Sequence, residues 1–141
     1  MSEIRVRLET PLNPTEDPEK VSRALHNLFP NADLITTRVD ERRSKLEARM
    51  SRLEDLDKLR NLLRQQAIRD AARKVLFQSL SGSSIVVHLN KQAAFAEKVS
   101  FCERYDESPL GPITLTITCE KPEEVVDWVA PSSRGRQRSE T

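Results

Sequence analysis

Basic and amide side chains directly follow an apolar, strand-like run at residues 85–89. Asn90, Lys91 and Gln92 come first, and Lys98 follows an alanine-rich patch. If a helix begins here, its backbone N–H groups and the Lys91 ammonium could hold a phosphate of a nucleic acid. The alternative is that the Asn90 side chain caps that helix and satisfies the N–H groups, which leaves Lys91 as a solvated surface charge. On the residues alone, the capped helix is favoured.

A second set of basic residues recurs at helical spacing between residues 55 and 74. Arg60 and Arg64 are one turn apart, as are Arg69 and Arg73. Guanidinium groups at this spacing can contact successive phosphates. Three aspartates are interleaved with them, so salt bridges across a solvated helix face explain the same pattern. The salt bridges are the favoured interpretation, and the last three arginines remain candidate nucleic-acid contacts.

The strands offer a third set, because Arg5, Arg7, Arg38 and Arg49 are predicted to point away from the core. If helices cover only one face of the sheet, these arginines lie on an open face. RNA-binding sheets of that kind usually carry aromatic side chains for base stacking, whereas the outward positions here hold Arg, Glu, Lys and Thr. This composition favours either recognition of the backbone of structured RNA or an interface with another protein subunit.

Enzymatic and metal chemistry have little support in the sequence. Nothing resembles a Ser-His-Asp or Cys-His arrangement, and the three glycines are not clustered into a phosphate-binding loop. His26, His88, Cys102 and Cys119 lack the spacing of metal ligands. A disulfide between the two cysteines is disfavoured in a reducing cytosol. We predict a non-enzymatic protein without a metal or a cofactor.

The charge totals argue against a general attraction to nucleic acid. The 141 residues include 23 basic and 22 acidic side chains, which gives a net charge of +1. Removing residues 132–141, with three arginines and one glutamate, leaves 20 basic and 21 acidic side chains. Nucleic-acid binding would therefore need a local basic patch. We predict one domain over residues 1–131 and a disordered basic tail over residues 132–141.

Neither a membrane span nor a secretory signal is expected. No apolar run approaches the roughly 18 residues that a bilayer-crossing helix needs, and the first ten residues lack a basic region followed by an apolar one. We therefore expect a cytoplasmic protein that does not contact membranes.

Alternating and helical patterns predict the order of the elements. In the second predicted strand, Ile35, Thr37 and Val39 share one side, and Arg38 lies on the other. The helical region 54–80 carries two apolar stripes offset by roughly 160°, so it should break near residues 66–68. Strands are predicted at residues 3–10, 32–40, 44–51, 83–89, 98–104 and 113–120, and helices at residues 18–29, 54–80 and 122–129, with a short helix or bulged turn at residues 91–97.

This order predicts an α+β fold. Consecutive strands joined by short links must pair in antiparallel fashion. The amphipathic helices must bury their apolar sides, and one face of the sheet provides the surface for this. We expect a mostly antiparallel sheet with helices packed on one face.

Four blocks, "LNPTEDPEKV", "RQQAIRDAARKVL", "LNKQAAFAEKVSF" and "ESPLGPITL", occur in this order. Together they resemble a family of small archaeal proteins labelled RNA-binding, and the resemblance covers roughly residues 3–130. It implies a fold similar to that of the large-subunit ribosomal protein that contacts 5S ribosomal RNA, a mostly antiparallel sheet backed by helices. A related archaeal group has been proposed as an accessory of the RNA-degrading exosome, although a fold by itself does not transfer function.

One residue departs from the family pattern. The family commonly has a small residue, often glycine, where this chain has Glu97. Glycine would indicate a turn with positive φ, whereas glutamate indicates either an ordinary helical position or a modest strain. Its charge beside Lys98 also weakens the phosphate-contact hypothesis.

We predict a non-enzymatic protein that binds structured RNA through phosphate and 2′-hydroxyl contacts. The candidate contacts are Asn90, Lys91, Gln92, Lys98, Arg64, Arg69 and Arg73. The alternative is a protein-interaction or assembly module, in which the open sheet face binds protein subunits of an RNA-processing complex or a second copy of the chain. A weaker third hypothesis is an enzyme with a small-molecule site around the "NKQAA" and "SPLGP" loops.

Overall fold

A computed structural model of the chain describes residues 3–102 and 110–132. In these two ranges one sheet of seven strands packs against five α-helices and one short 3-10 helix at Leu53–Leu56. The strands are β1 Ile4–Leu12, β2 Ile35–Arg38, β3 Ser44–Met50, β4 Leu80–Ser81, β5 Ser84–Leu89, β6 Phe101–Cys102 and β7 Ile113–Cys119. The helices are α1 Pro18–Leu28, α2 Asp57–Gln65, α3 Arg69–Gln78, α4 Lys91–Phe95 and α5 Pro122–Val129.

The sheet is antiparallel throughout, in the order β2-β3-β1-β7-β5-β4, with β6 beside β5. β1 lies at its centre, so Leu8 is opposite both Ala48 of β3 and Leu115 of β7. These three side chains are at most 2% exposed, and burying each leucine contributes about 1.5–3 kcal/mol. The predicted antiparallel α+β fold is confirmed.

The core lies between one face of the sheet and the helices. Every second residue of β1 is buried, while Arg5 and Arg7 are exposed on the other face. Helix α1 begins as predicted, because Asp17 accepts a hydrogen bond from the Glu19 N–H and Pro18 occupies the first turn. Its apolar stripe packs into the core through Val21, Ala24, Leu25 and Leu28.

The predicted break in the long helical region is confirmed at residues 66–68. After α2, Ala67 adopts a left-handed φ of 58°. The Ile68 N–H then donates to the Leu63 carbonyl and the Ala67 N–H to the Arg64 carbonyl, which is the pattern that closes a helix with a left-handed residue. Because the chain changes direction at this break, the apolar stripes of α2 and α3 both pack into the same core.

The edge strand β2 corrects one prediction. Ile35 pairs with Glu47 on the open face and is 60% exposed, and Val39, which follows β2, is 52% exposed. Arg38 pairs with Ser44, on the same face as Leu12, so its assignment to the open face was wrong. An alternating pattern gives the period of a strand, whereas the side that faces the core depends on register.

The predicted tail lies outside the described residues from position 133 onward. Among the described helices none is long and apolar enough to cross a membrane.

Candidate nucleic-acid interface

Helix α4 begins as the capped helix predicts. The Asn90 side chain accepts a 3.0 Å hydrogen bond from the Ala93 N–H, and Asn90 has extended backbone angles. Its side-chain oxygen is therefore occupied by the helix itself. The first residue of the helix behaves differently from expectation, because Lys91 is 0% exposed. The interpretation of Lys91 as a solvated surface charge was wrong.

The Lys91 ammonium is held in a buried polar cluster. It donates to the carbonyl oxygens of Pro11 at 2.7 Å and Leu110 at 3.0 Å, and it lies 3.2 Å from both carboxylate oxygens of Glu16. The Glu16 side chain is only 5% exposed. Burial lowers the pKa of Lys91 below its ordinary value, and the Glu16 charge acts in the opposite direction.

The same cluster fastens three chain segments together. Asn13 donates its backbone N–H and its amide to Glu16 Oε1, and the amide also lies 2.9 Å from the Leu110 carbonyl. Gly111 packs so closely on Pro11 that an added Cβ would lie 2.5 Å from the proline Cγ. Because its donors all point at protein oxygens, Lys91 holds the fold together at this site instead of offering its charge to a phosphate.

Gln92 and Lys98, unlike Lys91, are exposed. Helix α4 ends at Phe95, and Glu97, two residues later, has a φ of 57°. The Glu97 N–H donates to the Ala94 carbonyl and the Lys98 N–H donates to the Ala93 carbonyl. Of the two conformations left open for Glu97, the strained one is observed, at the position where a glycine normally ends a helix.

Lys98 lies beside the α2–α3 connection. The Gln66 side chain holds the next residue, Val99, by donating to its carbonyl oxygen at 3.1 Å and accepting from its N–H at 2.8 Å. Gln66 directly follows α2 and is the first residue of the break between the helices. The backbone after Lys98 is therefore fixed to the connection between the helices that carry Arg64 and Arg69.

Arg73 is occupied by helix α5. Its guanidinium forms a 2.7 Å ion pair with Asp127, donates to the Ala130 carbonyl and lies 4.8 Å from the Phe77 ring centre. The side chain is 12% exposed. Arg73 thus forms a salt bridge, as predicted, but its partner lies on α5 and is not one of the interleaved aspartates.

Three other arginines converge on a small cleft. Arg60, Arg64 and Arg69 line it together with Asn61 and Pro131, and its volume is about 40 Å³. Within the described ranges, no carboxylate oxygen lies within 4.0 Å of these three guanidinium groups. The salt-bridge interpretation therefore does not account for these arginines.

The open sheet face, in contrast, has balanced charges. Arg7 lies 3.5 Å from Glu9 and 3.9 Å from Glu47, and Lys45 lies 3.1 and 3.2 Å from the same two carboxylates. Arg49 is directly opposite Arg7 and is exposed. Because acidic side chains lie among the basic ones along β1 and along β3, this face has a weaker field for phosphates than a surface with basic residues alone.

Comparison with known proteins places this chain in a family. A family model described as RNA binding matches residues 5–119. The chain belongs to this RNA-binding family.

Members of the family with similar sequences occur in archaea. A UPF0201 protein of Sulfolobus acidocaldarius is 44% identical over 129 residues, which covers 92% of this chain and 88% of the relative. A UPF0201 protein of Methanopyrus kandleri is 46% identical over 139 residues, with 92% and 86% covered. The archaeal family that the four sequence blocks predicted is thus confirmed.

Solved structures of the family share the fold. The crystal structure of a UPF0201 protein from Methanococcus jannaschii matches with a TM-score of 0.80 and 32% identity, covering 90% of this chain and 99% of that one. A protein from Methanothermobacter thermautotrophicus, at 20% identity and a TM-score of 0.64, supports the fold alone. The likeness to the ribosomal protein that contacts 5S ribosomal RNA stays a prediction.

Proposed function

We propose that this protein binds structured RNA through its sugar–phosphate backbone, without catalysis, at the surface around the α2–α3 connection. The observation that carries the proposal is the convergence of basic side chains without acidic partners in the described part of the chain. Arg64 and Arg69 line one cleft, and Gln66, between the helices that carry them, binds the backbone of Val99, the residue after Lys98. Membership of an RNA-binding family supports RNA as the ligand.

The same surface favours contacts to phosphates and 2′-hydroxyls over contacts to bases. Guanidinium and ammonium groups bind phosphate oxygens, and the exposed amide of Gln92 can donate to or accept from a 2′-hydroxyl. Stacking of bases requires exposed aromatic rings. The described residues expose one large aromatic side chain, Phe95 at 42%. One exposed ring can stack on one base, whereas a base-stacking surface needs several rings.

Two of the candidate contacts drop out of the proposed interface. Lys91 is buried with Glu16, and Arg73 is paired with Asp127. Both residues have a structural role instead. Lys91 fixes helix α4, and Arg73 holds α5 against α3.

The experiment is fluorescence anisotropy with a labelled RNA hairpin over a range of salt concentrations. Replacing Arg64, Arg69 and Lys98 together by methionine removes three positive charges. We expect affinity at about 0.1 M salt to fall at least 10-fold, and the log–log salt slope to decrease in magnitude by about 2–3, as for three lost phosphate contacts.

A matched control removes three charges elsewhere. Arg5, Arg49 and Lys20 are exposed on the open sheet face and on α1, and their triple methionine variant has the same net charge. Equal losses in the two variants would mean that only net charge matters. Absence of RNA binding at low salt in the unmodified protein would contradict the proposed function itself.

A second candidate function rests on exposed apolar side chains. Ile35, Val39 and Val86 are 60%, 52% and 42% exposed, and Val86 shares the open face with Thr116 and Arg7 across the strands. An assembly module could bury them against another subunit. Sedimentation of the protein and of an Ile35→Lys, Val86→Lys variant distinguishes this function: a purely monomeric protein whose sedimentation does not change argues against self-assembly.

A further inference from the structure

We propose that strand β2 pairs with β2 of a second copy of this chain, so that two sheets join across a two-fold axis at Thr37. The proposal gives the second candidate function, assembly, a definite surface and a definite partner; it rests on that function and not on RNA binding. β2 lies at the end of the sheet, and among the described residues β3 is its one neighbouring strand. The other edge of β2 is the surface in question.

The hydrogen-bonding pattern of the sheet decides which backbone groups of β2 face this edge. In an antiparallel sheet, successive residues direct their N–H and C=O groups to opposite sides of the strand. The Val39 N–H donates to the Arg43 carbonyl at 2.8 Å, so Val39, and with it Ile35 and Thr37, bonds toward β3. Thr36 and Arg38 alternate with these residues, and their N–H and C=O groups therefore point away from β3.

The far side of the sheet gives the same pattern independently. The Cys119 N–H donates to the Ser83 carbonyl at 3.0 Å, so the odd-numbered residues of β7 bond toward β5. Even-numbered residues of β7 then bond to odd-numbered residues of β1, even-numbered residues of β1 to those of β3, and odd-numbered residues of β3 to those of β2. Thr36 and Arg38 again face the free edge.

These outward groups restrict how two copies of β2 can pair. Antiparallel strands exchange hydrogen bonds only where two outward-facing residues lie opposite each other. With the axis at Thr37, Thr36 of each copy lies opposite Arg38 of the other, and the two pairs exchange four hydrogen bonds. An axis at Arg38 would place like charges opposite each other. An axis at Thr36 would place Val39 opposite Asp33.

The exposed apolar side chains select the same axis. Ile35 and Val39 are 60% and 52% exposed on the open face of the sheet. With the axis at Thr37, Ile35 of each copy lies opposite Val39 of the other, and side chains that are directly opposite are close enough to pack. Four of the residues 35–39, "ITTRV", are β-branched, which favours an extended strand. The pairing therefore covers both apolar side chains at once.

Charge does not oppose the pairing. Residues 33–43 contain three acidic side chains, Asp33, Asp40 and Glu41, and three basic ones, Arg38, Arg42 and Arg43. Charged side chains often protect the edge strands of natural sheets from pairing. Here the Arg38 guanidinium donates to the carbonyls of Asp40 and Glu41 at 3.2 and 2.8 Å, so the turn after β2 holds the charge within its own chain.

The length of β2 sets the strength and the size of the assembly. Two strands this short bury less than the roughly 1,200 Å² of a standard stable interface, so the dimer should be weak and depend on protein concentration. Pairing about a two-fold axis uses the β2 edge of both copies. Assembly should therefore stop at two chains.

The first test is sedimentation equilibrium of nuclease-treated protein at high salt, where bound RNA is released, from micromolar to near-millimolar concentration. We expect a monomer–dimer equilibrium. Thr36→Pro removes an outward N–H and no bond to β3, a position at which edge strands tolerate proline. It removes two of the four hydrogen bonds of the dimer and should raise its dissociation constant at least about 10-fold.

The matched control is Val86→Lys, because Val86 is 42% exposed on the same open face but lies on β5. It should leave the equilibrium unchanged. A dimer that dissociates with Val86→Lys and not with Thr36→Pro would mean that the open face, and not the edge, forms the contact, and would overturn the proposal.

The second test probes the axis by cross-linking in oxidised glutathione. In the proposed dimer the Cα atoms of the two Thr37 residues lie about 4.5 Å apart, as in a pair without mutual hydrogen bonds, which a disulfide can span. The two Ile35 residues are separated by four positions along the strand, about 13 Å. Thr37→Cys should therefore cross-link at least about 10-fold faster than Ile35→Cys, since pairing raises the effective concentration of the thiols.

The unmodified protein gives the background of this test, because Cys102 and Cys119 are each only 8% exposed. Equal cross-linking of the two variants would overturn the axis at Thr37. Both cysteine variants keep the backbone of β2 intact, so they decide the pairing even if Thr36→Pro lowers the urea midpoint. A protein that stays monomeric at the highest concentration would overturn the dimer.

RNA anisotropy separates this proposal from the proposed RNA function. At a concentration where the unmodified protein is monomeric, Thr36→Pro should bind the RNA hairpin with unchanged affinity. RNA binding by a strictly monomeric protein would overturn the β2 pairing alone. A β2 dimer that binds no RNA at low salt would contradict the RNA function and support the pairing.

Discussion

Replacing Lys91 by methionine should destabilise the protein more than any substitution of an exposed charge. Methionine keeps much of the apolar stem of lysine but removes every contact of the ammonium, namely those with Pro11, Leu110 and Glu16. The Glu16 carboxylate, 5% exposed, would then keep only the two donors of Asn13. A buried charge would lose its counter-charge.

The magnitude follows from that loss. Removing one partner of a buried ion pair costs about 3–5 kcal/mol, because the remaining charge stays desolvated. For a chain of this length, roughly 3 °C in Tm corresponds to 1 kcal/mol, so the expected decrease is about 10 °C or more. The variant Lys91→Met, Glu16→Gln removes both charges and should recover about 1–2 kcal/mol of the loss.

The assay is urea unfolding followed by circular dichroism, with the midpoint and the slope fitted separately. Arg52→Met is the control, since it breaks an ion pair whose side chains are 70% and 61% exposed and should cost less than about 1 kcal/mol. A Lys91→Met loss no larger than that of the control would refute the reasoning. So would a double variant less stable than Lys91→Met alone.

Three further predictions concern the tail, the end of α4 and a buried thiol. A chain that ends at Ser132 lacks the three arginines of residues 133–141, so the magnitude of its salt slope in RNA anisotropy should decrease by about 1 for each phosphate contact that is lost. Glu97→Gly relieves a φ of 57° and should raise the urea midpoint by the equivalent of about 0.5–1 kcal/mol. Burial raises the pKa of the Cys119 thiol above its ordinary 9.0, so less thiolate forms at any given pH, and alkylation followed by mass spectrometry should be slower in the folded than in the unfolded chain.

The fold was largely predictable because its signals are local. Strand alternation in β1, β3 and β7, the Asp17 cap and the two offset stripes of residues 54–80 depend only on near neighbours in the chain. The orientation of β2 was not predictable in this way. Four residues at the edge of a sheet have one neighbouring strand, and the side that faces the core is set by pairing with β3, which sequence spacing does not encode.

The candidate site was predictable only in part, because the partners of charges come from distant segments. The pairs Lys91–Glu16, Arg73–Asp127 and Arg60–Trp128 join residues 54 to 75 positions apart. Helical spacing identified which arginines lie on α2 and α3, but it treated them as equivalent. Tertiary contacts divide them into Arg73, which is paired, and the three that line the cleft.

The distribution of charge decides what kind of RNA binding this fold can support. With a net charge of +1, the protein has little long-range attraction for phosphates, so binding must come from basic side chains that lie close together on one part of its surface. Three such contacts give a salt slope of about −2 to −3, or a 20- to 40-fold loss of affinity between 50 and 200 mM salt. Proteins with six to ten phosphate contacts lose roughly a thousand-fold or more over the same range. A shallow slope that disappears when Arg64, Arg69 and Lys98 are replaced therefore separates this local interface from a general basic surface.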